Sequence, residues 1–359
     1  MLEIDGSHGS GGGQVLRSSL ALSALTRKPF TLEKIRANRK NPGLAAQHLT
    51  CVRAVSKLTN ARVKGAELGS TKLVFEPRGF AVEAREFEFD CGTAGSVTLV
   101  LQALLPALAF AEKETSVKLV GGTAVAWSPP VNYVQRVLLP TLARTGLRAT
   151  LEVKKWGWYP KGGGIVEIKT KPASFLKAVE LEERGALKRV NAEIVCSNLP
   201  AHVSERMKTR ASQLALEKIE KNLNFNANSF QARAEGQGAE FLLIAEHANA
   251  LAGFSALGER GKPAEKLVEE AFTAFENFEK SDASVDEHLG DQLIPFLALA
   301  RGESRLRALL TPHLLTNAWV CEQFLETSFK ISGKENEVGL VTVKGVDFKN
   351  GENACRNAV

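Results

Sequence analysis

The chain has 359 residues, 44% of them apolar and 24% charged, with a formal net charge of +6. This composition excludes a collagen, a disordered chain and a small disulfide scaffold, and the length fits one large domain or two ordinary ones. No apolar run approaches the ~18 residues of a membrane span, so no membrane association is expected.

The opening Asp5-Gly6-Ser7-His8-Gly9-Ser10-Gly11-Gly12-Gly13-Gln14 leads into an apolar helix over Val15 to Leu25. The glycines let backbone approach a ligand without Cβ interference, and free N–H groups at the helix start favour an anion. Arg17, one turn inside, can add a bidentate phosphate contact. The alternative is a tight strand-to-helix turn with no ligand. A β-like run, Phe30 to Ile35, is followed by a loop carrying Arg36 and Arg39 and a helix over Gly43 to Leu58, with Gln47 and His48 near its start. A guanidinium pair facing a helix start can cradle a terminal phosphate, where the alternative is a solvated loop. His48 alone reads as a helix-face histidine bonded locally. Between Arg27 and Lys64 lie ten basic residues and one acid, Glu33, a density that suits a polyanion but also describes a solvated basic face. Two β-like runs, Ala61 to Glu67 and Lys72 to Glu76, close this first unit.

The same order of elements recurs. Gly92-Thr93-Ala94-Gly95-Ser96 leads into a helix over Val97 to Ala111, then a run at Ser116 to Val120 and a helix over Pro130 to Thr145. Asp286-Glu287-His288 leads into a helix over Leu289 to Ala300, then a run at Ser304 to Leu309 and a helix from His313 to Glu326. The first two units start about 80 residues apart and the last two about 190, so an insertion of about 100 residues is expected. It is placed at 184–281, with runs at Val190 to Cys196, Ser229 to Glu235, Ala239 to Glu246 and Leu251 to Leu257. Its helices are Ala201 to Asn222 and Pro263 to Lys280. The expected architecture is α/β (α+β): a large domain of three βαβαββ-like units at 1–183 and 282–345, an inserted small α/β domain, and a flexible tail at 346–359.

Three further motifs carry polar chemistry. Trp156, Trp158 and Tyr159, before Pro160-Lys161-Gly162-Gly163-Gly164, read as sheet packing in preference to base stacking. Glu287, His288 and Asp291 share a helical face and suit a metal, a ribose or a capped first turn. His313 starts a helix after a strand, and neutral imidazole is a competent nucleophile toward phosphorus. No P-loop or dinucleotide fingerprint is present. Five scattered cysteines without a C-x-x-C pair fit unpaired thiols in a reducing compartment. No basic segment followed by an apolar one opens the chain, so a cytoplasmic location, or a nuclear one in a eukaryote, is expected.

Taken in order, these motifs resemble the RNA 3'-terminal phosphate cyclases over nearly the whole chain. They are Asp5-Gly6-Ser7 with Gly11-Gly12-Gly13-Gln14-Val15-Leu16-Arg17, Ile35-Arg36, Pro42-Gly43-Leu44, Gln47-His48-Leu49 and Ala66-Glu67-Leu68-Gly69-Ser70. They continue with Thr93-Ala94-Gly95-Ser96, Gly121-Gly122-Thr123, Tyr159-Pro160 with Gly162-Gly163-Gly164, Asp286-Glu287-His288-Leu289 with Asp291-Gln292-Leu293, and His313 to Asn317. The resemblance implies ATP-dependent conversion of an RNA 3'-phosphate to a 2',3'-cyclic phosphate with a divalent metal (Mg or Mn). The implied intermediates are a covalent histidine–AMP and an RNA-adenylate. It makes His313 the nucleophile and assigns phosphate handling to Arg17, Arg36, Arg39 and Gln47. Gln102, Asp291 and Gln292 would contact adenosine, with His288 and Pro129 or Pro130 on either face of adenine. The family fold, three units like the carboxy-terminal domain of a translation initiation factor plus an inserted domain, fits the repeats. Two positions depart from it. Ser10 stands where relatives carry a metal-binding glutamate, leaving Asp5 as a substitute donor, and Ala124 stands where an aspartate is common. A non-catalytic RNA-binding relative acting in ribosomal RNA processing is the competing reading, which His313 opposes.

Overall fold

The computed structural model describes residues 1–79 and 85–349. The first unit comprises β1 (Leu2–Asp5), α1 (Gly13–Thr26), β2 (Phe30–Glu33), α2 (Ala46–Thr59), β3 (Arg62–Lys64) and β4 (Leu73–Glu76). Strands β1 and β2 are parallel, β4 runs antiparallel to β2 and β3, and the sheet order is β1-β2-β4-β3. The second unit repeats this with β5 (Glu86–Asp90), α3 (Val97–Ala109), β6 (Thr115–Gly121), a broken helix, β7 (Arg148–Lys155) and β8 (Gly164–Lys171). Its order is β5-β6-β8-β7. The broken helix is α4 (Val131–Tyr133), a π turn (Val134–Leu138) and α5 (Leu139–Ala143).

The third unit opens with β9 (Glu180–Leu181) and is then interrupted. The interruption is β10 (Leu187–Ser197), α6 (Ala201–Lys218), β11 (Asn224–Gln231), β12 (Gly238–His247), β13 (Leu251–Leu257) and α7 (Ala264–Lys280), with its own sheet, β11-β10-β12-β13. The unit resumes with α8 (Glu287–Leu299), β14 (Arg301–Leu309), α9 (Pro312–Phe324), β15 (Phe329–Ser332) and β16 (Val338–Val346). Its order, β9-β14-β16-β15, has the parallel and antiparallel pairings of the first unit.

Burial explains the layering. Strands β6 and β16 alternate buried and half-buried residues, so each sheet turns one face to the core. Helix α1 is buried at every position from Gln14 to Leu25, and α8 is buried at nearly all of its residues after His288. A helix covered on all sides keeps no solvent-facing polar stripe, and among the polar residues that α1 buries, Gln14, Arg17 and Ser18 are hydrogen-bonded. These helices form a central layer in which α1 packs on α2, α3 and α9, and α8 packs on α9. One continuous apolar core joins all three repeat sheets, including Phe30, Leu119 and Leu306. A second core, including Val190, Phe241 and Phe272, fills the interrupting sheet and its two helices.

Three details differ from expectation. Strand β11 begins at Asn224, not Ser229, because Phe225 and Ala227 pack inward while the intervening asparagines face solvent. Asparagine's low strand propensity hides that alternation. The helix expected at Pro130 to Thr145 carries the π turn. Asp347 and Phe348 continue beyond β16, donating backbone N–H bonds to Ala300 and Leu299, and Phe348 is buried edge-on against Phe110. The rest of the expected tail, from residue 350, lies outside the described residues. The basic face of α6 is answered by α7: Arg206, Arg210 and Lys218 pair with Glu265, Glu269 and Glu276. No described helix is long and apolar enough to cross a membrane.

Candidate active site at the helix starts

Five of the central helices begin on or near one side of the layer, and their starts differ. Ser96 caps α3, Asp286 caps α8 and Thr311 caps α9 through side-chain hydrogen bonds. Helices α1 and α2 start at Gly12 and Ala45 with no side-chain cap and no acid in the first turn. Their unanswered N–H groups leave partial positive charge where an anion can bind.

Cations gather at these two starts. A Cβ on Gly13 would lie 2.2 Å from His48 Nε2 and 2.9 Å from Arg17 Nη1, and one on Gly12 would lie 2.7 Å from Arg39 Nη2. Glycine is therefore required for the side chains of both neighbouring elements to close on the loop. Arg17 is buried; its Nε donates to Gln102 Oε1 at 3.1 Å and its Nη2 to Gln14 Oε1 at 2.5 Å. Both acceptors are neutral amides, so the guanidinium keeps its full charge for a ligand. Arg36 donates to the Gly43 carbonyl at 2.8 Å, while Arg39 is exposed. Burial, followed by Arg17, Arg36 and Arg39, pushes buried His48 down to about 3, so its ring is neutral and its Nδ1 has no protein partner.

The start of α9 closes the loop from the other side. Ser10 N donates to Thr316 Oγ1 at 3.2 Å, and His8 stacks on Trp319 with ring centroids 3.8 Å apart. His313 is half-buried in the first turn of α9. Burial first, then Arg17 and Arg39, holds its imidazole below the ordinary histidine range. A neutral ring with an available lone pair beside an anion site is suited to attack phosphorus.

Helix α8 supplies the third side. Removal from water pushes Asp291 up to about 7, with His288 and Arg17 pulling the other way. Gln292 Nε2 donates to the His288 carbonyl at 2.9 Å, and the His288 ring lies edge-on to Tyr133 at 6.1 Å. Pro295 lacks the N–H that would serve the Asp291 carbonyl four residues back. Asn317 Nδ2 takes that carbonyl at 2.8 Å, while Asn317 Oδ1 accepts from Gln14 at 2.7 Å and Ser18 at 2.5 Å. One buried amide thus locks α1, α8 and α9 together. A cavity between these helices and α3 is lined by Arg17, Gln102, Gln292, Asn317 and Phe296, with the π turn contributing Val134 and Leu138.

The remaining expected residues fall around this centre. Gln47 Oε1 accepts from Ser96 N at 2.9 Å and ties the start of α2 to that of α3. Pro129 and Pro130 are buried, with the Pro129 carbonyl accepting from Thr98 Oγ1 at 2.8 Å and Pro130 preceding α4. Ala124 is buried and pairs with Trp158 across a backbone bridge. Sequence reasoning did not single out Asn317 or Trp127. Asp286, quoted in sequence only as the start of a motif, accepts from Tyr133 Oη at 2.8 Å and Gly253 N at 3.0 Å as well as capping α8. Thr316 and Asn317, in the second turn of α9, were quoted only as part of a motif; their partners Ser10, Gln14 and Ser18 lie some 300 positions away.

The donors for a hard cation are sparse. Ser10 Oγ is buried without a partner, the place a carboxylate would occupy, and a hydroxyl is a weak ligand. Asp5 is committed elsewhere: it accepts from Ser7 at 2.6 Å and pairs with Lys34 at 2.9 Å, which holds its carboxyl far below the usual range. No group of three or more His, Cys, Asp or Glu residues able to hold a metal occurs among the described residues. The side chains at the loop therefore do not fit a metal held by protein carboxylates.

The profile of the family described as RNA 3'-terminal phosphate cyclase matches residues 8–331. A protein of that name from Gloeothece citriformis is 45% identical over 331 residues, covering 90% of this chain and 93% of its own. Namesakes from Methylococcus capsulatus and Pyrococcus abyssi are each 44% identical, covering 96% of this chain and 97% and 98% of theirs.

Proposed function

The chain belongs to the RNA 3'-terminal phosphate cyclase family, ATP-dependent ligase-type enzymes, and from that premise we propose that it cyclises RNA 3'-phosphates through a histidine–AMP. The observation that carries this reading is His313, kept neutral beside the uncapped helix starts and the arginines. ATP is a substrate here. The ring nitrogen of His313 bonds to the α-phosphorus, and the bond to the β-phosphate oxygen breaks to release pyrophosphate. An oxygen of the RNA 3'-phosphate then displaces His313 from the adenylyl phosphorus. The ribose 2'-oxygen attacks the activated 3'-phosphorus, loses its proton and expels AMP. A phosphate monoester has no good leaving group by itself, and the adenylyl step supplies one.

Arg17 and Arg39 are read as the cations that offset charge growing on the transferred phosphoryl group, with Arg36 and Gln47 holding the RNA 3'-phosphate. Gln102, Asp291 and Gln292 are read as adenosine contacts, with His288 and Pro129 or Pro130 bracketing the base. The three-repeat body at 1–183 and 282–345 is read as the part that carries this chemistry, and 184–281 as an insertion into it. The loop carries Ser10, a hydroxyl that is a weak ligand for a hard cation at that position.

Incubation with ATP labelled at the α-phosphate, followed by denaturing electrophoresis, tests the reading. Acid-labile label on the native protein, absent from His313→Ala, is expected. Retained label in His313→Ala removes the nucleophile assignment. Ser10 supports a second reading, a catalytically impaired RNA-binding relative. Absence of label in the native protein with its recovery in Ser10→Glu would favour that one.

A further inference from the structure

Two large aromatic side chains stand in solvent on loops that are otherwise firmly held. Trp127 is 98% exposed and Tyr159 is 79% exposed. The Trp127 loop is clamped at both ends. Thr123 N donates to the Gly157 carbonyl at 2.9 Å and Val131 N to the Thr123 carbonyl at 2.9 Å. Within it, Ser128 Oγ donates to the Val125 carbonyl at 3.1 Å, and Thr98 Oγ1 holds Pro129. Trp127 itself adopts a φ of +68°, a left-handed conformation unfavourable for a bulky residue. A slack loop would lay an indole onto nearby apolar surface; this one is fixed in a strained backbone that projects it outward.

Tyr159 projects from the adjoining segment. Ala124 and Trp158 form a parallel bridge, so Trp127 lies three residues beyond one side of it and Tyr159 one residue beyond the other. The two neighbouring tryptophans are packed: Trp158 is buried and stacks on Trp156 at 5.4 Å. The segments 121–131 and 155–164 contain no acid of their own; Lys155 is answered by Glu235, which lies against Gly163, and Lys161 is exposed.

Both loops rest on the start of α3, the helix beside the anion cluster. The Tyr159 turn is pressed on the Thr93 loop, since a Cβ on Gly162 would lie 2.6 Å from the Thr93 carbonyl oxygen. Three residues on, Ser96 N bonds Gln47, the neighbour of His48. The Trp127 loop is held by Thr98, one turn before Gln102 and its bond to Arg17.

We propose that Trp127 and Tyr159 are stacking platforms for bases of a single-stranded RNA whose 3'-phosphate lies at the arginine cluster. This inference rests on the proposed function for its ligand. Isolated rings on rigid loops, with exposed Lys161 two residues from Tyr159, match sequence-tolerant stacking on a polyanion. A protein-docking face would instead present contiguous apolar surface.

The test measures binding of a labelled RNA hexamer, ending in 3'-phosphate or 3'-hydroxyl, and of a single nucleoside 3'-phosphate. The native protein, Trp127→Ala, Trp127→Phe and Tyr159→Ala are compared. Each alanine variant is expected to lose about tenfold in affinity for both hexamers, with little change for the mononucleotide, and Trp127→Phe to retain most of the affinity. Unchanged hexamer binding in both alanine variants overturns the proposal, as does an equal loss on hexamer and mononucleotide. A matching fall in His313 labelling, which needs no RNA, assigns the rings to ATP and also overturns it. If the native protein binds both hexamers equally, the 3'-phosphate reading fails while the stacking result still stands or falls on the alanine variants. If it binds neither hexamer, both fail.

Discussion

Burial and the surrounding cations together set the working range of His313. Burial and nearby guanidinium groups disfavour the protonated ring, so the neutral form persists below the ordinary histidine value of 6.5. The acid limb of histidine labelling is therefore expected below pH 6.5. Arg39→Gln removes one of the repelling charges, and the limb should move up, only slightly because Arg39 is exposed and screened. A limb that stays in place in a pH series would show that Arg39 does not act on His313. On the RNA side, Arg36→Ala is expected to raise the KM for 3'-phosphorylated RNA by about tenfold or more while changing histidine labelling little. Equal loss on both substrates would contradict its placement at the RNA phosphate. Ser10→Glu fills the position of the orphaned hydroxyl with a hard-cation donor and should lower the magnesium or manganese concentration needed for labelling several-fold.

At the scale of the elements, the site depends on how helices and strands are joined. Asn317 answers the Asp291 carbonyl that Pro295 leaves free and accepts from two α1 side chains. Asn317→Ala leaves three buried polar groups unmet, so a loss of roughly 3 kcal/mol or more is expected in urea unfolding. Strand β12 carries the opposite case. Glu240 is fully buried, its carboxylate oxygens form no well-aligned hydrogen bond, Glu193 lies close enough to add repulsion, and only the nearby Asn132 amide pulls the other way. Burial first, then Glu193, raises its carboxyl well above the ordinary value of 4.5, so the folded protein keeps a proton that the unfolded chain releases. Stability then falls as pH rises above 4.5. Glu240→Gln should stabilise the fold at neutral pH by on the order of 1–3 kcal/mol, with the gain vanishing below about pH 4. A constant difference across pH in thermal melts would refute the buried-proton account.

Across the whole molecule, three units of one topology place helix starts together, and sequence differences among those starts give each a different set of side chains. The uncapped starts of α1 and α2 collect arginines, the α9 start presents His313, and the α8 start holds Asp291 and Gln292. The repeat order and the elements were readable because helices and half-buried strands impose different apolar periods on local sequence. Strand β11 escaped because asparagines masked its alternation, and the π turn escaped because no local pattern encodes one.

The ordered motifs placed this chain in a known family from sequence alone, and the glycine-rich loop and its arginines marked candidate phosphate contacts. Local chemistry suffices for that, since glycines, guanidinium groups and imidazole declare their capacities wherever they sit. Only the tertiary structure decided which of them meet. It set Ser10 Oγ against no partner, withdrew Asp5 into a pair with Lys34, and tied Asn317 across three helices. It also turned Trp127 outward while burying Trp158. Burial, charge proximity and the freedom of a lone pair depend on residues far apart in the chain, and no local pattern carries them.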